Sequence, residues 1–267
     1  MGFIRIPTGW DASLQPSAFS LNDLNFIMAT LALQNLEKIY GGKSVVKSVS
    51  LEIESGDVVG LLGPNGAGKT TTFYMTIGMV KPDGGQVYLD GEDISGYPMY
   101  IRARKGVGYL PQETSIFRKL TVWQNVMLIL ETLPLTREER EAKATGLLQE
   151  LGIERLADRQ AGVLSGGERR RLEISRALAT DPAFMLLDEP FAGVDPLAVI
   201  DIKSIIGHLK DRGIGILISD HNVRETLGAC DRAYILSDGT VIESGSPEKI
   251  ASSETARRIY LGDEFTL

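Results

Sequence analysis

The chain has one cysteine, Cys230, in 267 residues. No internal disulfide can form, which suits a reducing compartment. Cys230 follows Leu227 and Ala229 and reads as a small buried residue. Positive charge is also in short supply. With 28 Lys and Arg against 35 Asp and Glu, the net charge of -7 argues against a protein built to wrap nucleic acid. The one dense basic run, Arg169-Arg170-Arg171, lies between Glu168 and Glu173 in a helical stretch and reads as a solvated helix face. Long apolar runs are missing as well. No stretch approaches the roughly 18 apolar residues a membrane-crossing helix needs, and no basic segment with an apolar signal core opens the chain. The expectation is a protein in the cytosol, or attached to a membrane from the cytosolic side. Internal repeats and low-complexity tracts are absent. What remains is ordinary globular composition, 43% hydrophobic and 24% charged, in a chain long enough for one large α/β domain or two small ones.

Residues 1–27, with Pro7, Trp10 and Pro16, show neither helical nor strand period, and Met28-Ala29-Thr30 reads like a natural start. An N-terminal extension, poorly ordered, is expected there, with the folded part over 28–267. Leu31, Leu33 and Leu36, then Val45-Val46, Val49, Leu51 and Ile53, make a β-rich entry, and Asp90-Gly91 is the kind of turn that closes a hairpin. Val107 to Leu110 reads as a strand ending at Pro111-Gln112. From about 113 to 176 the pattern turns helical, with Thr136 and Glu139 at capping-box spacing, and the simplest reading is a helical insertion. Phe184 to Leu187 and Ile214 to Ile218 are short apolar runs flanking a helix that Asp195-Pro196 starts and Gly213 stops, the grammar of a parallel sheet. Asp238-Gly239 closes a late hairpin, and Ser246-Pro247 caps a short terminal helix.

The residues that carry chemistry begin after the apolar run Val58 to Leu62. Gly63-Pro64-Asn65-Gly66-Ala67-Gly68-Lys69-Thr70-Thr71 is spelled as a phosphate-binding loop between a strand and a helix. Its glycines let successive N–H groups turn inward onto phosphate oxygens, Lys69 adds charge for the β- and γ-phosphates, and the Thr70 hydroxyl can ligate Mg²⁺. Further on, Met185-Leu186-Leu187-Asp188-Glu189-Pro190 places two carboxylates at the end of a buried strand. Asp188 can hold Mg²⁺ through water, and Glu189 is the candidate base for the attacking water. His221, after Ile216-Leu217-Ile218, ends another core strand within reach of a γ-phosphate; His208, mid-helix among charges, is given no role. Leu164-Ser165-Gly166-Gly167-Glu168 opens a helix with Ser165 and Glu168 at capping-box spacing. Two glycines in the first turn, costly to helix stability, expose N–H groups as a second anion site.

From about Thr30 to Leu267 these motifs resemble the nucleotide-binding subunits of ATP-binding-cassette (ABC) proteins. The resemblance implies an α/β fold with a P-loop, RecA-like core, an antiparallel β subdomain and a helical subdomain, and ATP with Mg²⁺ as ligands. It identifies Gly63 to Thr71 as the Walker A loop, Leu164 to Glu168 as the signature, Phe184 to Asp188 as Walker B and Glu189 as the catalytic glutamate. Gln112 becomes the Q-loop glutamine near the metal and the γ-phosphate, Asp195 the D-loop residue, His221 the switch histidine and Tyr40 the aromatic that stacks on adenine. It further implies a homodimer in which each ATP lies between the Walker A loop of one copy and the signature helix of the other. Two integral membrane permease subunits would dock near Gln112 to Leu120, where Ile116, Phe117 and Leu120 are either an apolar floor for them or plain core. Phe191 to Pro196, Ser219 to Thr226 and the tail Ile259 to Phe265 resemble the branch that powers lipopolysaccharide export from the inner membrane. On that reading the chain sits on the cytoplasmic face and touches no cargo. Residues 1–27, Gly146 and Gly152 depart from that branch. Two alternatives stay open: the ATPase of a branched-chain amino-acid importer, and a soluble cassette driving a scaffold such as iron–sulfur cluster assembly.

Overall fold

A computed structural model describes residues 29–267, apart from the side chain of Leu197. The extension expected over 1–27 lies outside the described residues. Two sheets carry the described residues. The first is antiparallel, in the order β2-β1-β4-β5, from β1 (Thr30–Tyr40), β2 (Lys43–Glu54), β4 (Gly84–Leu89) and β5 (Glu92–Asp93). The Asp90-Gly91 hairpin joins β4 to β5, with both residues at positive φ as that turn requires.

The second sheet has six strands in the order β10-β9-β3-β8-β7-β6. They are β3 (Val58–Leu62), β6 (Val107–Leu110), β7 (Phe184–Asp188), β8 (Gly215–Ser219), β9 (Arg232–Ser237) and β10 (Thr240–Gly245). All pairings are parallel except β9 with β10. In β3, β7 and β8 every residue is buried, as expected of parallel strands covered on both faces. Their alternation sorts side chains to two cores. Met185, Leu187, Ile216 and Ile218 face a cluster shared with the helices, while Phe184, Leu186 and Leu217 face a cluster shared with the antiparallel sheet. Each such side chain contributes about 1.5–3 kcal/mol relative to exposure.

α1 (Lys69–Ile77) follows β3, and α2 (Met99–Arg104) precedes β6. Between β6 and β7 the described chain is helical: α3 (Val122–Leu130), α4 (Arg137–Glu150) and α5 (Gly166–Leu178), each opened by a capping box, at Thr121, Thr136 and Ser165. α6 (Pro196–Asp211) makes the crossover between β7 and β8. Among the described residues no helix is long and apolar enough to cross a membrane.

The arginine run is a correction. Arg169, Arg170 and Arg171 are partly buried rather than solvated, and each is tied to the protein. Arg169 donates to Leu164 O, Arg170 to Pro111 O and Glu173, and Arg171 to Leu151 O and Asp201. A long guanidinium stem covers apolar surface while its fork satisfies carbonyls, so charge alone does not place it in water. The Ile116-Phe117-Leu120 question divides. Ile116 joins the core, Phe117 stays 45% exposed under the Arg176 guanidinium, and Leu120 lies between.

Candidate active site

The site lies where the parallel strands end. In register, Asp188 of β7 stands beside Ser219 of β8, which also pairs with Leu61 of β3, and Leu110 of β6 stands beside Leu187. The residues just beyond these ends are therefore neighbours: the loop from Gly63, Gln112, Glu189 and His221. Ligands bind open α/β sheets at this edge.

The loop's shape is forced at two points. Gly63 has φ 145°, and a Cβ there would fall 2.1 Å from Leu236 O; Gly68 has φ 100°, with Val45 O 2.7 Å from its Cβ position. Only glycine fits either place. Gly68 is the N-cap of α1 (Lys69–Ile77), and no side chain caps the helix there. Its first-turn N–H groups thus point into a cavity of about 250 Å³ lined by Val45, residues 65–71, Glu189 and His221. Lys69 folds back onto its own loop, donating to Gly63 O at 2.6 Å and Pro64 O at 3.0 Å. Burial holds its pKa below the usual lysine value, while the charges of Glu189 and Asp220 pull the other way.

Glu189 stands at the centre. Its backbone is left-handed, φ 44°, an uncommon state for a residue with a side chain, and its N–H donates to Ser219 O at 2.7 Å. Its Oε2 accepts from Gln112 Nε2 at 2.9 Å and lies 3.3 Å from His221 Nδ1. The structure thus brings Gln112, Glu189 and His221 together. Asp188 is 6% exposed, and its Oδ2 accepts from the Tyr109 hydroxyl. Burial first, then the charges of Glu189 and Asp220, push its carboxyl above the usual range, against the Tyr109 hydrogen bond.

Metal fit follows from the donor chemistry. Thr70, Gln112 and Asp188 offer hydroxyl, amide and carboxylate oxygens, and no group of three His, Cys, Asp or Glu side chains forms a metal cage among the described residues. That set suits Mg²⁺, which keeps waters and shares its shell with phosphates.

A second, larger cavity of about 450 Å³ is lined by Ser165, Gly166, Gly167, Gln112, Glu189 and Asp195, among others. Glu189 borders both cavities; the signature glycines border only the second. Ser165 and Glu168 cap each other, and the hydrogen bonds from the Ser165 N–H and hydroxyl hold the Glu168 carboxyl below its usual pKa. Tyr40 ends β1, 48% exposed under Lys38, and lines neither cavity.

Sequence reasoning missed Asp220, Tyr74 and Tyr109. Asp220 is fully buried and accepts from Phe191 N and Asn222 N, both at 2.8 Å, pinning the segment after Glu189 to the turn that carries His221. An acid beside a strand-end histidine was the available signal.

A phosphate loop on a parallel sheet, with carboxylates at the next strand end and a capped glycine helix start nearby, defines an ATP-hydrolysing cassette. The chain belongs to the ABC transporter family, whose description matches residues 46–192, and it is an ATPase that binds ATP. It is 58% identical over 241 residues to the lipopolysaccharide export system ATP-binding protein LptB of Escherichia coli (strain K12), covering 90% of this chain and 100% of that one. With LptB of Haemophilus influenzae the identity is 56% over the same length, again covering 90% of this chain and 100% of the relative. The ADP conformation of MJ1267, an ATP-binding cassette of an ABC transporter, superposes with a TM-score of 0.80 at 32% identity, covering 88% of this chain and 100% of that one. The two LptB relatives favour lipopolysaccharide export over the amino-acid importer and scaffold alternatives.

Proposed function

We propose that the chain is the ATP-hydrolysing subunit of a lipopolysaccharide-export transporter, working as a homodimer on the cytoplasmic face of the inner membrane. The observation that carries this is the 58% identity to the Escherichia coli LptB along that protein's whole length. The geometry supports the following mechanism. Gly63, Pro64, Asn65, Gly66, Ala67, Gly68, Lys69, Thr70 and Thr71 cradle the triphosphate, and Lys69 leaves its loop carbonyls for phosphate oxygens. Thr70, Gln112 and Asp188 hold Mg²⁺, which neutralises phosphate charge when bound. Glu189 accepts a proton as water attacks the γ-phosphorus and ADP leaves, and His221 orients that water or the phosphate it strikes. Tyr40 stacks on adenine.

The two cavities argue for the dimer. Ser165, Gly166 and Gly167 line a different cavity from the phosphate loop, so the signature N–H groups of one copy cover the triphosphate of the other. Glu168 acts through its cap on Ser165. When hydrolysis removes the shared charge, the interface opens and the motion passes to two membrane permease subunits docked near Gln112 to Leu120, where Phe117 is exposed. No cargo or nucleic acid touches this chain. The helical subdomain over about 113–176 and a cassette over 28–267 complete this reading.

The test is to purify tagged Glu189→Gln protein from detergent-solubilised membranes with Mg-ATP and identify its companions by mass spectrometry. Lipopolysaccharide-export permeases are expected; amino-acid permeases, or soluble scaffold proteins alone, would overturn the assignment.

A further inference from the structure

Asp188 is a buried carboxylate among like charges. Glu189 follows it, Asp220 lies on the neighbouring strand end, and among the described residues no Lys or Arg pairs with it. Lys69 spends its donors on Gly63 and Pro64. A buried charge needs hydrogen bonds to stay in one orientation, and among the described residues the one side chain donating to this carboxylate is Tyr109, whose hydroxyl lies 3.4 Å from Oδ2. That separation is long for O–H···O.

Tyr109 is itself well placed. It sits on β6 three residues before Gln112, and its ring meets Phe73 of α1 edge-on, with centroids 6.1 Å apart. Tyr74, the next residue of α1, lies near enough that its phenol and Tyr109's act on one another electrostatically. Hydroxyls therefore run from the helix behind the phosphate loop, through the strand that leads to Gln112, to the carboxylate on β7. A hydrophobic core needs no phenolic oxygens here. Phe at both positions would fill the same space.

We propose that Tyr109 is a positioning residue for Asp188, its hydroxyl fixing one carboxylate oxygen so that the other is aimed at the metal's water. Tyr74 supports it from α1, so that the loop helix and the Gln112 strand set the metal ligand together. This rests on the reading of Asp188 as the metal-holding carboxylate. Partners of a metal ligand of this kind change metal affinity by about 10–100-fold when removed.

The experiment compares the full chain with Tyr109→Phe, Tyr74→Phe and Asp188→Asn, each loaded with a non-hydrolysable ATP analogue. Mn²⁺ affinity is read by electron paramagnetic resonance, and nucleotide affinity in EDTA is read separately. Tyr109→Phe keeps the ring on Phe73 and should weaken Mn²⁺ about tenfold while leaving metal-free nucleotide binding unchanged. In turnover the Mg²⁺ needed for half-maximal rate should rise by a similar factor, with kcat at saturating Mg²⁺ retained. A merely structural role would not split the two. Tyr74→Phe should show a smaller weakening, and it carries the test should Tyr109→Phe fold poorly. Unchanged Mn²⁺ affinity in both tyrosine variants, with Asp188→Asn losing the metal, overturns the proposal alone. Unchanged affinity in Asp188→Asn overturns the metal reading beneath it.

Discussion

The N-terminus of α5 closes on itself: Ser165 Oγ accepts from the Glu168 N–H, and Glu168 Oε2 accepts from the Ser165 N–H at 2.9 Å. The N-terminus of α1 does not close. Gly68 is left-handed, no side chain caps it, and no acid stands in the first turn. Both helices present glycine-exposed N–H groups and a positive dipole end, yet one supplies its own anion and the other leaves the place empty. A self-capped helix start is stable in the absence of ligand and can only add to a site assembled elsewhere. An uncapped one forgoes about 1 kcal/mol of capping and recovers it when a phosphate arrives. On the proposed reading, α1 would be the ligand's primary seat and α5 its cover.

That difference is broken most severely at Glu189, which borders the cavities of both helices. Glu189→Gln should keep ATP binding and trap the closed dimer while cutting turnover by about 10²–10⁴-fold, as loss of a general base does. Near-normal steady-state hydrolysis would remove Glu189 from that role. Gly63→Ala strikes the open seat alone. With a backbone oxygen 2.1 Å from the new Cβ, the loop must shift, and both nucleotide binding and Tm should fall sharply. A crystal structure of a well-folded Gly63→Ala protein with the loop in place would contradict the steric argument.

Lys69→Ala removes the charge and leaves the fold. ATP affinity should drop about 10–100-fold, the scale of a lost charge-assisted hydrogen bond, with little change in Tm. Unchanged affinity in equilibrium binding would refute the assignment. Ser165→Ala inverts the pattern. It should lower stability by about 1 kcal/mol through the lost cap, leave monomer ATP binding alone, and weaken ATP-driven dimerisation seen by light scattering. An effect of Ser165→Ala on ATP affinity in the monomer would mean the two helix starts serve one site within one chain.

The contrast explains what the sequence could carry. Strands β3, β7 and β8 were legible as short apolar runs, because a strand buried on both faces needs nothing else. The caps at Thr136 and Ser165 were legible for the same local reason, since partner and acceptor lie three residues apart. Tyr109, Tyr74 and Asp220 were not. Asp188, the partner of Tyr109, lies 79 residues away on the neighbouring strand, and Phe191 N, which donates to Asp220, lies 29 residues away in the turn after β7, so only the sheet order brings them together. The arginine run misled because three of its partners, Leu164 O, Pro111 O and Leu151 O, are carbonyls that leave no mark in a sequence.

Asp188 gives the smallest effect on stability and the most telling one. Its folded pKa is raised, chiefly by burial and then by Glu189, so the folded chain holds this proton more tightly than the unfolded chain does. For a carboxylate the sign then runs opposite to the usual salt bridge. Its contribution to stability is fully present below the unfolded carboxylate pKa and is lost as pH rises through the raised folded value. At neutral pH the ionised group is a cost that the fold carries for the sake of the site. Asp188→Asn should therefore melt slightly higher than the parent at pH 7.5, with the difference shrinking toward pH 4, while hydrolysis is lost. A lower Tm for Asp188→Asn at pH 7.5 would mean that the Tyr109 hydrogen bond outweighs burial, and that the carboxylate end of the sheet is as self-sufficient as the start of α5.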